Sequence, residues 1–190
     1  MDQIEKTRKT LDEGSVIIYP TETAYALGAD ALNPEAIEKV YKLKQRPTSK
    51  GLTVIVDSLK TVKEYADLSE NEEKLVEEFM PGPLTLVVDK KDSVPDELNE
   101  KFVFRISSSE TARQLGSKPV VATSANISGR ETSYSVEDIS RDITENVDHI
   151  INEGKLEKSP TSTISEVGDK GIILHREGPI SREELEALLE

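Results

Sequence analysis

"SVIIYPTETAYALG" occupies residues 15–28, and the reading of the fold turns on it. Residues 15–19, "SVIIY", form an apolar run of strand length after Gly14. Pro20, which has no backbone N–H to donate, ends it. The next four residues, "PTET" (20–23), are more than a connector needs. Two hydroxyls bracket a carboxylate, and Tyr25 follows closely. A strand running straight into a hydroxyl-rich loop is how α/β proteins place small polar ligands at strand ends.

The same punctuation continues outward in both directions. Residues 3–12 read as a short charged helix. Asn33 serves as an N-cap and Pro34 as a first helical residue, ahead of Ala36, Ile37, Val40, Tyr41 and Lys44 at helical spacing over 34–44. "GLTVIV" (51–56) is a strand. Two acidic helices follow, 58–66 and 70–80, the second opened by the capping box Ser69 to Glu72. "LTLVV", "FVFRIS" and "PVVAT" are strands, with a short helix over 109–115 closed by Gly116. Ser135 and Asp138 cap a helix reaching about 143. "HIIN", "STISEV" and "GIILHR" are short strands, and Ser181 with Glu184 boxes a last helix. Strands and helices alternate unevenly, which predicts an α/β fold, one domain over 1–190 with a twisted mixed β-sheet flanked by helices.

Composition narrows the chemistry. The chain has no cysteine, which removes thiol nucleophiles, disulfides and cysteine-ligated zinc. Its two histidines, His149 and His175, are too few for a multi-histidine metal site, and each reads as a packed or surface residue. The charged start "MDQIEKTRKT" has no apolar signal region, and no apolar run approaches the ~20 residues that span a bilayer. These features predict a soluble cytoplasmic protein without membrane contact. The formal net charge of −13 opposes general nucleic-acid binding. Yet residues 39–56 carry Lys39, Lys42, Lys44, Arg46 and Lys50 and not one acid.

A helix C-terminal dipole accounts for Lys42 and Lys44 but not for Arg46 and Lys50 on either side of Pro47. A proline-stiffened loop with Arg and Lys suits a polyanion such as a triphosphate. Four loops add hydroxyl or amide groups beside strands: "PTET", "RISSS" (105–109), "TSANIS" (123–128) and "SPTST" (159–163). Arg105 sits in an otherwise apolar strand, facing either a cleft or solvent, and Arg176 ends "GIILHR". Neither a Walker loop nor a G-x-G-x-x-G is present, so nucleotide binding would rest on side-chain cations and hydroxyls.

The ordered set "PTET-Y-L", "K-x-R-P", "PGPLT", "SAN-x-SG", "ST" and "R-x-G" resembles the YrdC-like family, the threonylcarbamoyl-AMP synthases of tRNA modification, in its single-domain form. The resemblance runs from about residue 10 to the end. It implies an enzyme that joins L-threonine, bicarbonate or CO2, and ATP into threonylcarbamoyl-AMP and pyrophosphate, with magnesium accompanying ATP. Partner proteins would then pass the threonylcarbamoyl group to tRNA. By this resemblance Lys44 and Arg46 are catalytic. Thr23, Tyr25, Arg105, Ser124 and Ser162 bind L-threonine; Lys44, Arg46, Lys50, Asn126 and Arg176 bind ATP. No metal ligand is assigned, and Glu22 is left between placing magnesium and orienting a loop. The sequence departs from the family pattern at Ala26, usually glycine, at Ile55, often a histidine facing threonine, and at Ser107, usually proline. The alternatives are a double-stranded RNA or tRNA-binding module, a carbamoyl-handling domain like that of hydrogenase-maturation proteins, and a non-catalytic paralogue.

Overall fold

Period-two alternation sorts the strands of this chain into two β-sheets packed around common apolar side chains. A computed structural model describes residues 3–189. In chain order, α1 (Gln3–Asp12) leads into β1 (Ile17–Pro20), β2 (Tyr25–Gly28), α2 (Pro34–Lys44), β3 (Val54–Val56), α3 (Leu59–Tyr65) and β4 (Ala66–Asp67). Next come α4 (Glu70–Phe79), β5 (Leu84–Lys90), β6 (Phe102–Ile106), α5 (Glu110–Leu115), β7 (Val120–Val121) and β8 (Thr123–Ser124). A 3-10 turn (Val136–Asp138), α6 (Arg141–Thr144), β9 (His149–Ile150), β10 (Thr163–Gly168), β11 (Gly171–Arg176) and α7 (Arg182–Leu189) complete the order.

The smaller sheet runs β8-β2-β1-β9; the larger runs β11-β10-β5-β6-β3-β7, with β4 also paired to β5. Both are mixed. β1 is antiparallel to β2 and parallel to β9, while β5 is parallel to β10 and antiparallel to β6. The mixed α/β class expected from the sequence holds.

Several local signals hold as well. Asn33 Oδ1 accepts from the N–H groups of Glu35 and Ala36, and Pro34 opens α2. Ser69 and Glu72 form a reciprocal capping box on α4, and Ser181 with Glu184 caps α7 in the same way. Other expectations are corrected. β2 was not anticipated, because "YALG" is too short and too apolar to show alternation. "PVVAT" is not one strand: Ala122 N donates to Thr53 O at 2.7 Å, and the chain changes sheets there, β7 joining the larger and β8 the smaller. The helix expected through 143 breaks into a 3-10 turn and α6 at Ser140.

One face of each central strand meets the main core. Leu84, Leu86 and Val88 of β5 join Phe102, Phe104 and Ile106 of β6 there. The opposite positions, Thr85, Val87, Val103 and Arg105, are thereby turned to the other face. β1 is buried on both sides: Ile18 packs into the main core, whereas Ile17 and Tyr19 join Leu11, Ala112 and Leu115 in a second cluster. Ile55 belongs to that second cluster and is fully buried. On β3, Val54 and Val56 point one way and Ile55 the other, into the core beneath α5.

Candidate active site

The face of the larger sheet left free of the main core forms a wall of an open cavity of about 880 Å³. The "PTET" turn, the 46–53 loop, the 122–124 stretch and the 161–164 stretch form the remaining walls. Among the described residues four cations line it, Arg46, Lys50, Arg105 and Arg176, and no aspartate or glutamate does. In a chain of net charge −13, this is a local inversion of charge. Thr23, Tyr25, Ser124 and Ser162 also reach the lining, so eight of the ten residues named from the sequence converge on one space.

Lys44 and Asn126 do not. The reason lies at the end of α2. Gln45 adopts a left-handed conformation (φ 50), and the Gln45 and Arg46 N–H groups return to the carbonyls of Lys42 and Tyr41. The chain direction reverses between Lys44 and Arg46, sending the two cations to different places. Lys44 is 1% exposed, and its Nζ donates to the carbonyl oxygens of Ser124 and Asn126, the latter at 2.9 Å, and to Asn126 Oδ1 at 3.5 Å. Burial, with Arg46 adding repulsion, pushes the Lys44 ammonium down to about 7. Asn126 in turn accepts from Ser124 Oγ and donates its amide to Arg130 O at 2.6 Å. Lys44 and Asn126 thus build the 124–130 loop from beneath, while Ser124 reaches the cavity.

Arg46 is held above them. Its Nε donates to Lys50 O at 2.7 Å and its NH2 to Gly51 O at 3.0 Å, so the guanidinium braces its own loop. Asn99 fixes the loop's far end, donating to Leu52 O and accepting from Leu52 N, each at 2.7 Å. Gly51 leaves room for this clamp, since a Cβ there would lie 1.9 Å from Asn99 Oδ1.

The register of β6 decides Arg105. Phe102, Phe104 and Ile106 face the core, so Arg105 faces the cavity rather than solvent, at 6% exposure. Arg176 donates through Nε to Ser162 O at 2.9 Å and through NH2 to Ser162 Oγ at 3.1 Å, while Ser162 Oγ also contacts Thr85 Oγ1 at 2.8 Å. Burial, and then the nearby Arg105, hold Arg176 below the usual arginine range. Glycine at 178 allows this pairing: a Cβ there would lie 2.4 Å from Thr163 N and 2.5 Å from Thr161 O. Gly178→Ala is therefore expected to push the two segments apart and cost about 2 kcal/mol, measured by urea denaturation, as other overpacked sites do.

Tyr25 lines the cavity, but its hydroxyl turns away from it, donating to Gly154 O at 2.7 Å and accepting from Glu153 N at 3.0 Å. In the "PTET" turn, Thr21 Oγ1 contacts Thr23 Oγ1 at 3.0 Å and donates to Ala24 O at 2.7 Å, leaving the Thr23 side chain toward the cavity. His175, expected as a packed or surface residue, sits at the cavity wall with Nε2 2.9 Å from Glu166 Oε2.

Sequence reasoning missed Asn99, Thr132 and Tyr134. "ETSYS" (131–135) carries the same hydroxyl-rich signal as the other loops and could have yielded Thr132 and Tyr134; Asn99 in "DELNE" carries none. Among the described residues no group of three or more His, Asp or Glu side chains could hold a metal ion, and no helix is long and apolar enough to cross a membrane.

Fold and site together define an α/β protein with an open cavity lined by cations and hydroxyls. The family model Sua5/YciO/YrdC, described as "Telomere recombination", matches residues 9–178, and the chain belongs to that family. A Methanocaldococcus jannaschii relative is 36% identical over 183 residues, covering 96% of this chain and 88% of the relative. The threonylcarbamoyl-AMP synthase of Pyrococcus abyssi is 32% identical over 184 residues, covering 93% of this chain and 54% of the relative. Among solved structures, P. abyssi Sua5 complexed with L-threonine matches with a TM-score of 0.90 at 30% identity, covering 98% of this chain and 57% of that one. E. coli YciO matches at 0.84 and 25% identity, covering 96% and 92%. The chain thus spans little more than half of the P. abyssi protein and most of the other two.

Proposed function

We propose that this protein is a threonylcarbamoyl-AMP synthase, a nucleotidyltransferase that makes the adenylate used for threonylcarbamoyladenosine modification of tRNA. The observation that carries the reading is the cavity itself. Four lysine and arginine side chains and a set of hydroxyls converge there with no acid among the described residues, in an otherwise acidic chain. Its volume of about 880 Å³ accommodates a nucleotide and an amino acid together.

In this reading the threonine amine attacks CO2, forming an N–C bond and losing a proton. The carbamate oxygen then attacks the α-phosphorus of ATP, and the bond to the bridging oxygen breaks as pyrophosphate leaves. Arg46 and Lys50 face the triphosphate, and Arg176 stands beside the nucleotide. Arg105 takes the threonine carboxylate, with Thr23, Ser124 and Ser162 nearby. The chemistry needs alignment of two anions and dispersal of the charge that accumulates on the leaving group. It needs no protein nucleophile. Lys44 and Asn126 act through the loop they support. Magnesium would be carried by the triphosphate, whose charge it helps neutralise; the chain's part is the cationic wall.

The test is incubation of the protein with ATP, L-threonine and bicarbonate. Threonine-dependent pyrophosphate release and a threonylcarbamoyl-AMP mass are expected; their absence from folded protein overturns the reading. Serine in place of threonine is expected to react about 10–100-fold less efficiently, the cost of one methyl.

A further inference from the structure

Glu22, at the tip of the "PTET" turn, has a role that the cavity walls reveal from behind. Its Oε2 accepts a short hydrogen bond from Ser107 Oγ, and its Oε1 lies 3.2 Å from Arg105 NH1. The Arg105 and Glu22 side chains are 7% and 19% exposed. Ser107, fully buried, is itself fixed, accepting from Ser109 N at 3.1 Å while its carbonyl accepts from Arg113 at 3.3 Å. The backbone of Glu22 is held too, by Ser159 Oγ donating to its carbonyl at 2.7 Å.

The pairing is incomplete in an informative way. Arg105 Nε and Glu22 Oε1 are both buried without a hydrogen-bond partner, so the ion pair is close but not aligned. A guanidinium offers five N–H donors, and this one faces the cavity with its hydrogen-bonding capacity largely unspent. Arg176 lines the same cavity and adds a second positive charge there; burial, and then Arg105, hold it below the usual arginine range. Among the described residues Glu22 is the one carboxylate ion-paired with a lysine or arginine of the cavity wall.

We propose that Glu22 is a positioning residue that sets the anion selectivity of Arg105. Locked by Ser107, it stays beside the guanidinium and cancels part of the positive charge that Arg105 and Arg176 bring to the cavity. The site then takes a zwitterion's single carboxylate in place of a free dianion. This rests on the synthase reading for the identity of the zwitterion, L-threonine, but not for the selectivity itself. Ser107 is the lock.

The test is calorimetry on the full chain with sulfate and L-threonine as separate probes. Glu22→Gln keeps the side chain's shape and removes its charge. It is expected to raise sulfate affinity at least threefold and to lower the threonine-to-sulfate affinity ratio at least tenfold. Ser107→Ala should shift the ratio in the same direction by less, and Ser107→Thr should leave it at the wild-type value. In an Arg105→Gln background, Glu22→Gln should produce no gain in sulfate affinity. An unchanged ratio in folded Glu22→Gln, or an equal sulfate gain with and without Arg105, overturns the proposal. If Glu22→Gln does not fold, the two Ser107 variants decide it by the same ratio. Wild-type protein that fails to bind L-threonine overturns the synthase reading alone, because the sulfate arms still report on Glu22 and Arg105.

Discussion

Arg105→Gln is expected to raise the L-threonine requirement about 100-fold while leaving that for ATP within about threefold. The guanidinium faces the cavity at 6% exposure, so a carboxylate arriving there meets a preorganised, partly desolvated donor. A charge-assisted hydrogen bond contributes about 1.5–3 kcal/mol, and the upper end of that range corresponds to the expected factor. Glutamine also leaves Glu22 without its counter-charge. Removing one partner of a buried pair costs about 3–5 kcal/mol; with Glu22 19% exposed, about 2 kcal/mol is expected in urea denaturation. Steady-state kinetics in each substrate separately checks the first claim. A loss shared equally between threonine and ATP would mean that Arg105 shapes the whole cavity rather than one end of it.

Lys44→Met is expected to reduce turnover about 100-fold, although Lys44 does not reach the cavity. Three oxygens, those of Ser124, Asn126 and the Asn126 side chain, converge on its Nζ and match the three donors of an ammonium. Methionine fills the space but leaves the carbonyl oxygens of Ser124 and Asn126 without the ammonium, so the 124–130 loop loses its support and Ser124 its place at the wall. Losing two such bonds costs about 3 kcal/mol, which sets the expected factor. Stability should show a pH signature as well. The Lys44 pKa is lowered from 10.5 to about 7 by burial and then by Arg46. Between those values the unfolded chain keeps a proton that the folded chain has lost, so this group's contribution raises stability as pH rises from about 7 toward 10. The limiting slope is about 1.4 kcal/mol per pH unit. Wild-type stability should therefore gain on Lys44→Met across pH 7–9, measured by urea denaturation. A constant difference would mean that the ammonium stays charged throughout.

Much of this architecture is written in short-range patterns. The α2 cap at Asn33, the boxes at Ser69 and Ser181, and the core-facing alternation of Phe102, Phe104 and Ile106 depend on neighbours a few residues away. Local reading therefore finds them. The same holds for the acid-free segment around Arg46 and for the hydroxyl loops, which are statements of composition. Of the ten contact residues that the family resemblance implied, eight line one cavity.

Other features depend on which distant segments meet. Lys44 and Arg46 look equivalent in "KLKQR", yet the left-handed turn at Gln45 sends one beneath the Ser124–Asn126 loop and the other into the 46–51 loop. Arg105 had two faces open to it until β6 took its register beside β3. Asn99 entered the site only because Gly51 lets it close on Leu52, nearly fifty residues earlier in the chain. Periodicity, capping and charge are properties of the chain alone. The direction a side chain takes at a helix end, and the partner that meets it there, are settled by packing between segments far apart in sequence.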